Sequence, residues 1–122
     1  MKGVDVLKHV YFFVDEDGRS LVEEFMAELT EKEDMKVRAY IRILKECGHN
    51  LRRPIADYLG EGIYELRPQA YRVFYFFFMK DSVVLLHILR KKTDKIPLND
   101  FNLCIKRKRE VEALNNIKEF DV

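Results

Sequence analysis

The sequence predicts an α+β sandwich, an antiparallel-dominated sheet packed against two N-terminal helices with a further helix at the C-terminal end. Three observations carry that prediction. Three apolar strand-like runs lie close together between Ile63 and Lys91. Two helix-start signals, Ser20 with Glu23 and Thr30 with Glu33, stand upstream of them, and Pro97 opens a helical stretch downstream. At 122 residues, 48% hydrophobic and 35% charged, the chain is expected to form one domain spanning residues 1–122, large enough to bury a core.

The elements follow in order. Val10–Val14 is wholly apolar and ends at Asp15-Glu16-Asp17-Gly18, so it reads as a strand closed by a turn. A capping box at Ser20/Glu23 and the helical spacing of Leu21, Phe25 and Leu29 predict a first helix from Leu21 to about Leu29. The same signal at Thr30/Glu33 starts a second helix, with Val37, Ile41 and Leu44 on one stripe and Gly48 as its stop. Residues 49–62, with Pro54, Gly60 and Gly62, read as a returning loop. Ile63–Arg67, Tyr71–Met79 and Val83–Lys91 are separated by gaps so short that they must form antiparallel hairpins. The last two are apolar at both parities, which predicts central strands covered on both faces. Pro97 is placed in the first turn of the last helix, whose inward stripe is Phe101, Cys104 or Ile105, Lys108 and Val111, and the tail after Leu114 is expected to fray.

The net charge of +1 hides an asymmetry. Residues 1–34 carry four basic and ten acidic side chains, whereas 87–109 carry eight basic ones against Asp94 and Asp100. A basic end of this kind is the electrostatic footprint of a protein that orients itself on nucleic acid, although a solvated polar surface also produces charge runs. No run approaches the ~18 apolar residues of a membrane span, and the N-terminal MKGVDVLKH is too short in apolar residues for a secretory segment, so a soluble, cytoplasmic protein is expected. Cys47 and Cys104 have neither a CxxC partner nor metal-ligand spacing, and read as reduced, partly buried thiols.

Candidate chemistry gathers on the hairpin strands. Arg67, Arg72, Arg90, Lys91 and Lys92 could be held on a rigid sheet, where a planar guanidinium matches phosphate better than an ammonium does. By strand parity Arg72 shares a face with Phe74, Phe76 and Phe78, while Arg90 and Lys92 share one with Val84, Leu86 and Ile88. Arg67 and Glu65 share parity and could equally form a structural ion pair. His87 alternates with Val83, Leu85 and Leu89, which favours a satisfied core histidine over a proton-transfer group. Tyr58, Tyr64 and Tyr71 could stack on bases or simply pack. Lys106–Arg109 turns through ~300° of helix and cannot form one face, so it reads as a solvated or partner-binding helix end. No phosphate-loop, nucleophile-elbow or zinc-protease motif is present. Metal-independent phosphodiester chemistry remains, in which an RNA 2′-hydroxyl attacks its own phosphate and cations stabilise the added charge.

YELRPQAYRVFYFF followed by VVLLHILRKKTDKIP closely resembles the HigB-like, phage-derived branch of the RelE/ParE toxin superfamily. A strand ending in ELR, a strand beginning YRV and a terminal KKTxKxP occur in the family's order and spacing, and YFFVDEDGRSLVEEFMAEL looks like its opening strand, turn and helix. The similarity covers about residues 10–113, the expected core of the domain. The resemblance implies a RelE-like toxin of a type II toxin–antitoxin system. Such a toxin enters the ribosomal A site, cleaves mRNA without a metal or other cofactor, and is restrained by a helix-turn-helix, HigA-like antitoxin, in a complex that can be a heterotetramer.

Carried over by position, Arg72 and Lys92 match the catalytic positions. Lys91 matches a neighbouring phosphate or ribosomal RNA contact, and Arg67 matches the arginine of the ELR motif. Arg90 and Tyr71 join them as substrate-binding candidates, with His87 a weaker one. Where RelE-type relatives carry two lysines, Ile63 and Glu65 stand, so a lysine general base from that strand is absent. The competing readings are a ParE-like inhibitor of DNA gyrase without nuclease activity, or a nucleic-acid- or antitoxin-binding module whose catalysis has decayed.

Overall fold

The computed structural model describes residues 6–122, so the first five residues of the segment weighed as a leader lie outside it. The chain runs β1 (His9–Phe13), α1 (Leu21–Ala27), α2 (Glu31–Cys47), β2 (Ala56–Gly60), β3 (Ile63–Leu66), β4 (Tyr71–Phe78), β5 (Ser82–Arg90), α3 (Leu98–Leu114) and β6 (Ile117–Glu119). The six strands form one sheet in the order β2-β3-β4-β5-β1-β6. The short links after β2, β3 and β4 make antiparallel pairs, as the gap lengths require. Only β1 and β5 run parallel, a pairing that needs a long crossover, and α1 and α2 begin it.

Side chains from the two sheet faces build two cores. Val10, Phe12, Val73, Tyr75, Val83 and Leu85 meet Val22 and Met26 of α1 and the Val37–Ile41–Leu44 stripe of α2. Phe13, Ile63, Phe74, Phe76, Val84 and Leu86 meet Cys104 and Val111 of α3. The central strands are thus covered on both faces, which is why they are apolar at both parities. Each fully buried Leu, Ile or Phe here contributes roughly 1.5–3 kcal/mol.

The helix starts divide. Thr30 forms a complete capping box: its Oγ1 accepts from the Glu33 N–H at 3.2 Å and its own N–H donates to Glu33 Oε1 at 3.0 Å. Ser20 is an N-cap by position only. Its hydroxyl is buried without a partner, and Glu23 pairs with Lys118 of β6 at 2.7 Å instead of folding back. Pro97 stands one residue earlier than expected, at the N-cap of α3.

Three further expectations are corrected. The loop assigned to 49–62 contains β2, an edge strand with Tyr58 exposed and Asp57 and Gly60 among its five residues, so it carries no apolar alternation to read. The tail does not fray: β6 pairs with β1, the Phe120 N–H donates to the Val10 carbonyl, and the Phe120 ring stacks on Phe12 at 4.4 Å. In β5 the strict alternation fails. His87 pairs with Phe74 and Leu85 with Tyr75, so Leu86 is an extra residue in the ladder, a β-bulge.

Candidate active site

The bulge decides which side chains share a face. Before it, Val84 and Leu86 face α3; after it, Ile88 joins the opposite core, and His87 and Leu89 come to lie across from Phe74 and Arg72 on the α3 side. Arg90 therefore does not share a face with Val84 and Leu86, and His87 does not share one with Val83 and Leu85. The row continues to Lys91, whose N–H donates to the Ala70 carbonyl at 2.6 Å one residue beyond the strand. Lys92 has already left the sheet and lies exposed in the 92–95 bend. Arg107 stabilises the irregularity, donating from Nη1 to the Leu86 carbonyl at 2.8 Å while its guanidinium lies over the Phe13 ring. Together with Lys108, which lies over Phe76, it shows that half of the Lys106–Arg109 run packs inward rather than standing in solvent.

At the end of this row Arg72 forms the floor of a cleft of about 220 Å³, bounded by Leu89, Lys91, Lys92, Lys95, Ile96 and Asp100. Its side chain is only 8% exposed. Nη1 donates to the carbonyls of Gln69 and Tyr71 at 2.8 and 2.7 Å, and the left-handed backbone of Gln69, φ 55°, turns that residue within the tight link between β3 and β4. Nε stands 3.9 Å from Glu65 Oε1, a buried oxygen with no hydrogen bond of its own, while Arg67 Nη1 donates to Glu65 Oε2 at 2.6 Å. Burial, and then repulsion from Arg67, lower the pKa of Arg72, with Glu65 opposing. A guanidinium stays protonated through such a shift, so the cleft floor is a desolvated, oriented cation.

The rim is charged in both senses. Lys91 Nζ lies 3.1 Å from Asp94 Oδ1, and that contact, reinforced by Arg67 and Arg72, holds the Asp94 carboxyl below its usual range. Thr93 Oγ1 donates to the Lys95 carbonyl and shapes the bend that carries Lys92 and Lys95. His87 Nε2 lies 2.8 Å from Asp100 Oδ1, and the imidazole stacks on Phe74. Burial lowers its pKa more than Asp100 raises it.

Three of the expected ligand-binding groups are engaged elsewhere. Arg90 borders the cleft, but its Nη1 donates to the Tyr71 hydroxyl at 2.9 Å, and that hydroxyl donates to Glu33 Oε2 at 2.8 Å. Tyr71, Arg90 and the α2 capping box form one network on the far face of the sheet. Arg67 is held by Glu65, the ion pair weighed from parity. Arg72, Lys91 and Lys92 are brought together; Asp94, Lys95 and Asp100 join them, although in the sequence they stand out only as charges. Asp100 could have been noticed as an acid three residues after Pro97, in the first turn of a helix. Among the described residues no cluster of His, Cys, Asp and Glu is suited to a metal, and no helix is long and apolar enough to cross a membrane.

Three helices around a mostly antiparallel six-stranded sheet, with a cationic cleft where β4 begins and β5 ends, define a small α+β protein of the RelE-like type. Residues 24–109 match the family model described as Phage derived protein Gp49-like (DUF891). That is well over half of the chain, and the chain belongs to this family, which is of RelE/HigB-like toxin type. A search of curated proteins gives no significant match.

Proposed function

We propose that the protein is the toxin of a type II toxin–antitoxin system and that it cleaves mRNA on translating ribosomes without a metal. The observation that supports this most is Arg72, a guanidinium pre-oriented by two backbone carbonyls at the floor of a cleft ringed by Lys91, Lys92 and Lys95. As an RNA 2′-oxygen attacks, charge builds on the phosphate, and a preorganised, poorly hydrated cation stabilises that state more than the ground state. Lys92, exposed on the bend, is proposed as the second cation and Lys91 as a phosphate contact. A helix-turn-helix antitoxin in the cytoplasm is the partner this reading calls for.

Mapping transcript 5′ ends after expression tests it. New ends inside translated regions, absent with Arg72→Ala, are expected. Intact mRNA with an SOS response would transfer the protein to the gyrase-inhibiting reading, and growth without either effect would indicate a binding module.

A further inference from the structure

The nuclease reading leaves one requirement unmet: something must take the proton of the attacking 2′-hydroxyl. The cleft's cations cannot, because ammonium and guanidinium groups have donors and no acceptor. Its acids differ sharply. Glu65 is 3% exposed and enclosed by Arg67 and Arg72. Asp94 is tied to Lys91, and Glu33 serves the α2 cap on the far face. Asp100 alone lines the cleft while taking its hydrogen bond from a neutral ring, at 2.8 Å from His87 Nε2. The bulge at Leu86 is what brings His87 to this side, and the stack on Phe74 fixes the ring.

Resting on the nuclease reading, we propose that Asp100 is the proton acceptor of the cleft and that His87 is its positioning residue. An ionised carboxylate only accepts, so His87 presents its Nε2 hydrogen to Asp100 Oδ1 and leaves the other oxygen for substrate. The 2′-O–H bond breaks with its proton passing to Asp100, the 2′-O–P bond forms, and the P–O5′ bond breaks. The leaving 5′-oxygen takes a proton from water, and the hydroxide left behind removes the proton from Asp100. The products are a 2′,3′-cyclic phosphate and a 5′-hydroxyl. Arg72 from β4, Arg90 at the end of β5, Lys91 just beyond it, Lys92, Asp94 and Lys95 from the bend, and Arg107 from α3 are the charged groups surrounding the pair.

The test is single-turnover cleavage of a defined mRNA on purified translating ribosomes across pH, with melting temperature and ribosome binding measured in parallel. Wild type and Arg72→Ala come first: a wild type that does not cleave overturns the nuclease reading and this inference with it, whereas an Arg72→Ala that cleaves equally well places the reaction outside this cleft and overturns the inference alone. Given wild-type cleavage, Asp100→Asn should bind ribosomes normally, cleave about 10²–10⁴-fold more slowly at neutral pH, and lose the acid limb of the profile. Asp100→Glu should restore part of the rate together with the limb. His87→Phe, which keeps a ring against Phe74 and has no donor, should lower the rate less and displace the limb, whereas His87→Gln, which keeps an N–H donor, should stay near wild type. An Asp100→Asn protein with the wild-type limb, whether fast or slow, overturns the proposal and leaves the pair a tether between α3 and the sheet. Should that variant not fold, an unmoved limb in a folded His87→Phe is the overturning result.

Discussion

Arg72 uses one amino group on the carbonyls of Gln69 and Tyr71, so its guanidinium plane is set before any ligand arrives. Arg72→Ala should cost ~2.7–4 kcal/mol of transition-state stabilisation, seen as slowed cleavage on ribosomes with the melting curve retained. Arg72→Lys should rescue poorly, since an ammonium cannot reproduce a fork that holds the Gln69 and Tyr71 carbonyls with one amino group and keeps other donors free for a phosphate. Lys91 and Lys92 differ through their surroundings, Lys91 being held by Asp94 and Lys92 exposed on the bend. Lys92→Ala should lower the single-turnover rate at saturating ribosome. Lys91→Ala should instead weaken binding and flatten its salt dependence by roughly one unit or less. Equal rate losses in the two variants would contradict that division. The cysteines offer a separate check: burial pushes the Cys104 thiol up to about 12, while Cys47 is half-buried. A thiol reagent at mildly alkaline pH should label Cys47 in the folded protein and reach Cys104 only after denaturation.

At the level of elements, the two helix starts and the tail can be measured against one another. Thr30→Ala should destabilise by ~1 kcal/mol through loss of the capping box, whereas Ser20→Ala should be near neutral because no side-chain cap bond is lost. Phe120→Ala should cost ~3–5 kcal/mol, as expected for a buried ring stacked on Phe12; a change under ~1 kcal/mol in chemical denaturation would restore the fraying tail. The α2 cap also predicts an acid response. The Thr30 backbone N–H, Tyr71 and Arg90 hold the Glu33 carboxyl below its ordinary value, so its stabilisation is present above that value and is lost as pH falls through the lowered one. Glu33→Gln should flatten the fall in melting temperature on that acid side. The sequence carried the long elements plainly because each buries a periodic stripe. It was silent on β2 and β6, which have five and three residues and depend on pairing with β3 and β1 rather than on any pattern of their own.

For the whole molecule, the cationic cleft was legible as far as Arg72, Lys91 and Lys92, because basic residues at the end of an apolar strand are visible in one dimension. The placement of His87, Arg90 and Asp100 was not. It depends on the Leu86 bulge, which inverts strand parity without any glycine or proline to mark it, and on where α3 crosses the sheet. The charge asymmetry of the chain becomes directional in the fold: Lys91, Lys92 and Lys95 lie together on one bend, and the acidic first turns of α1 and α2 lie on the helices of the opposite layer. The Leu86 bulge has one more consequence. Removing that single residue would close the ladder with Leu85 opposite Tyr75 and His87 opposite Phe74 as neighbours, so His87, Leu89 and Lys91 would keep their layer, while the buried Leu86 side chain and the carbonyl that Arg107 holds would be lost. A one-residue deletion at Leu86 should therefore leave the facing of the cleft residues intact, with the loss of one core side chain. The protein carries in β5 one residue of slack, and a mutational scan by deletion would read it where a scan by substitution passes over it.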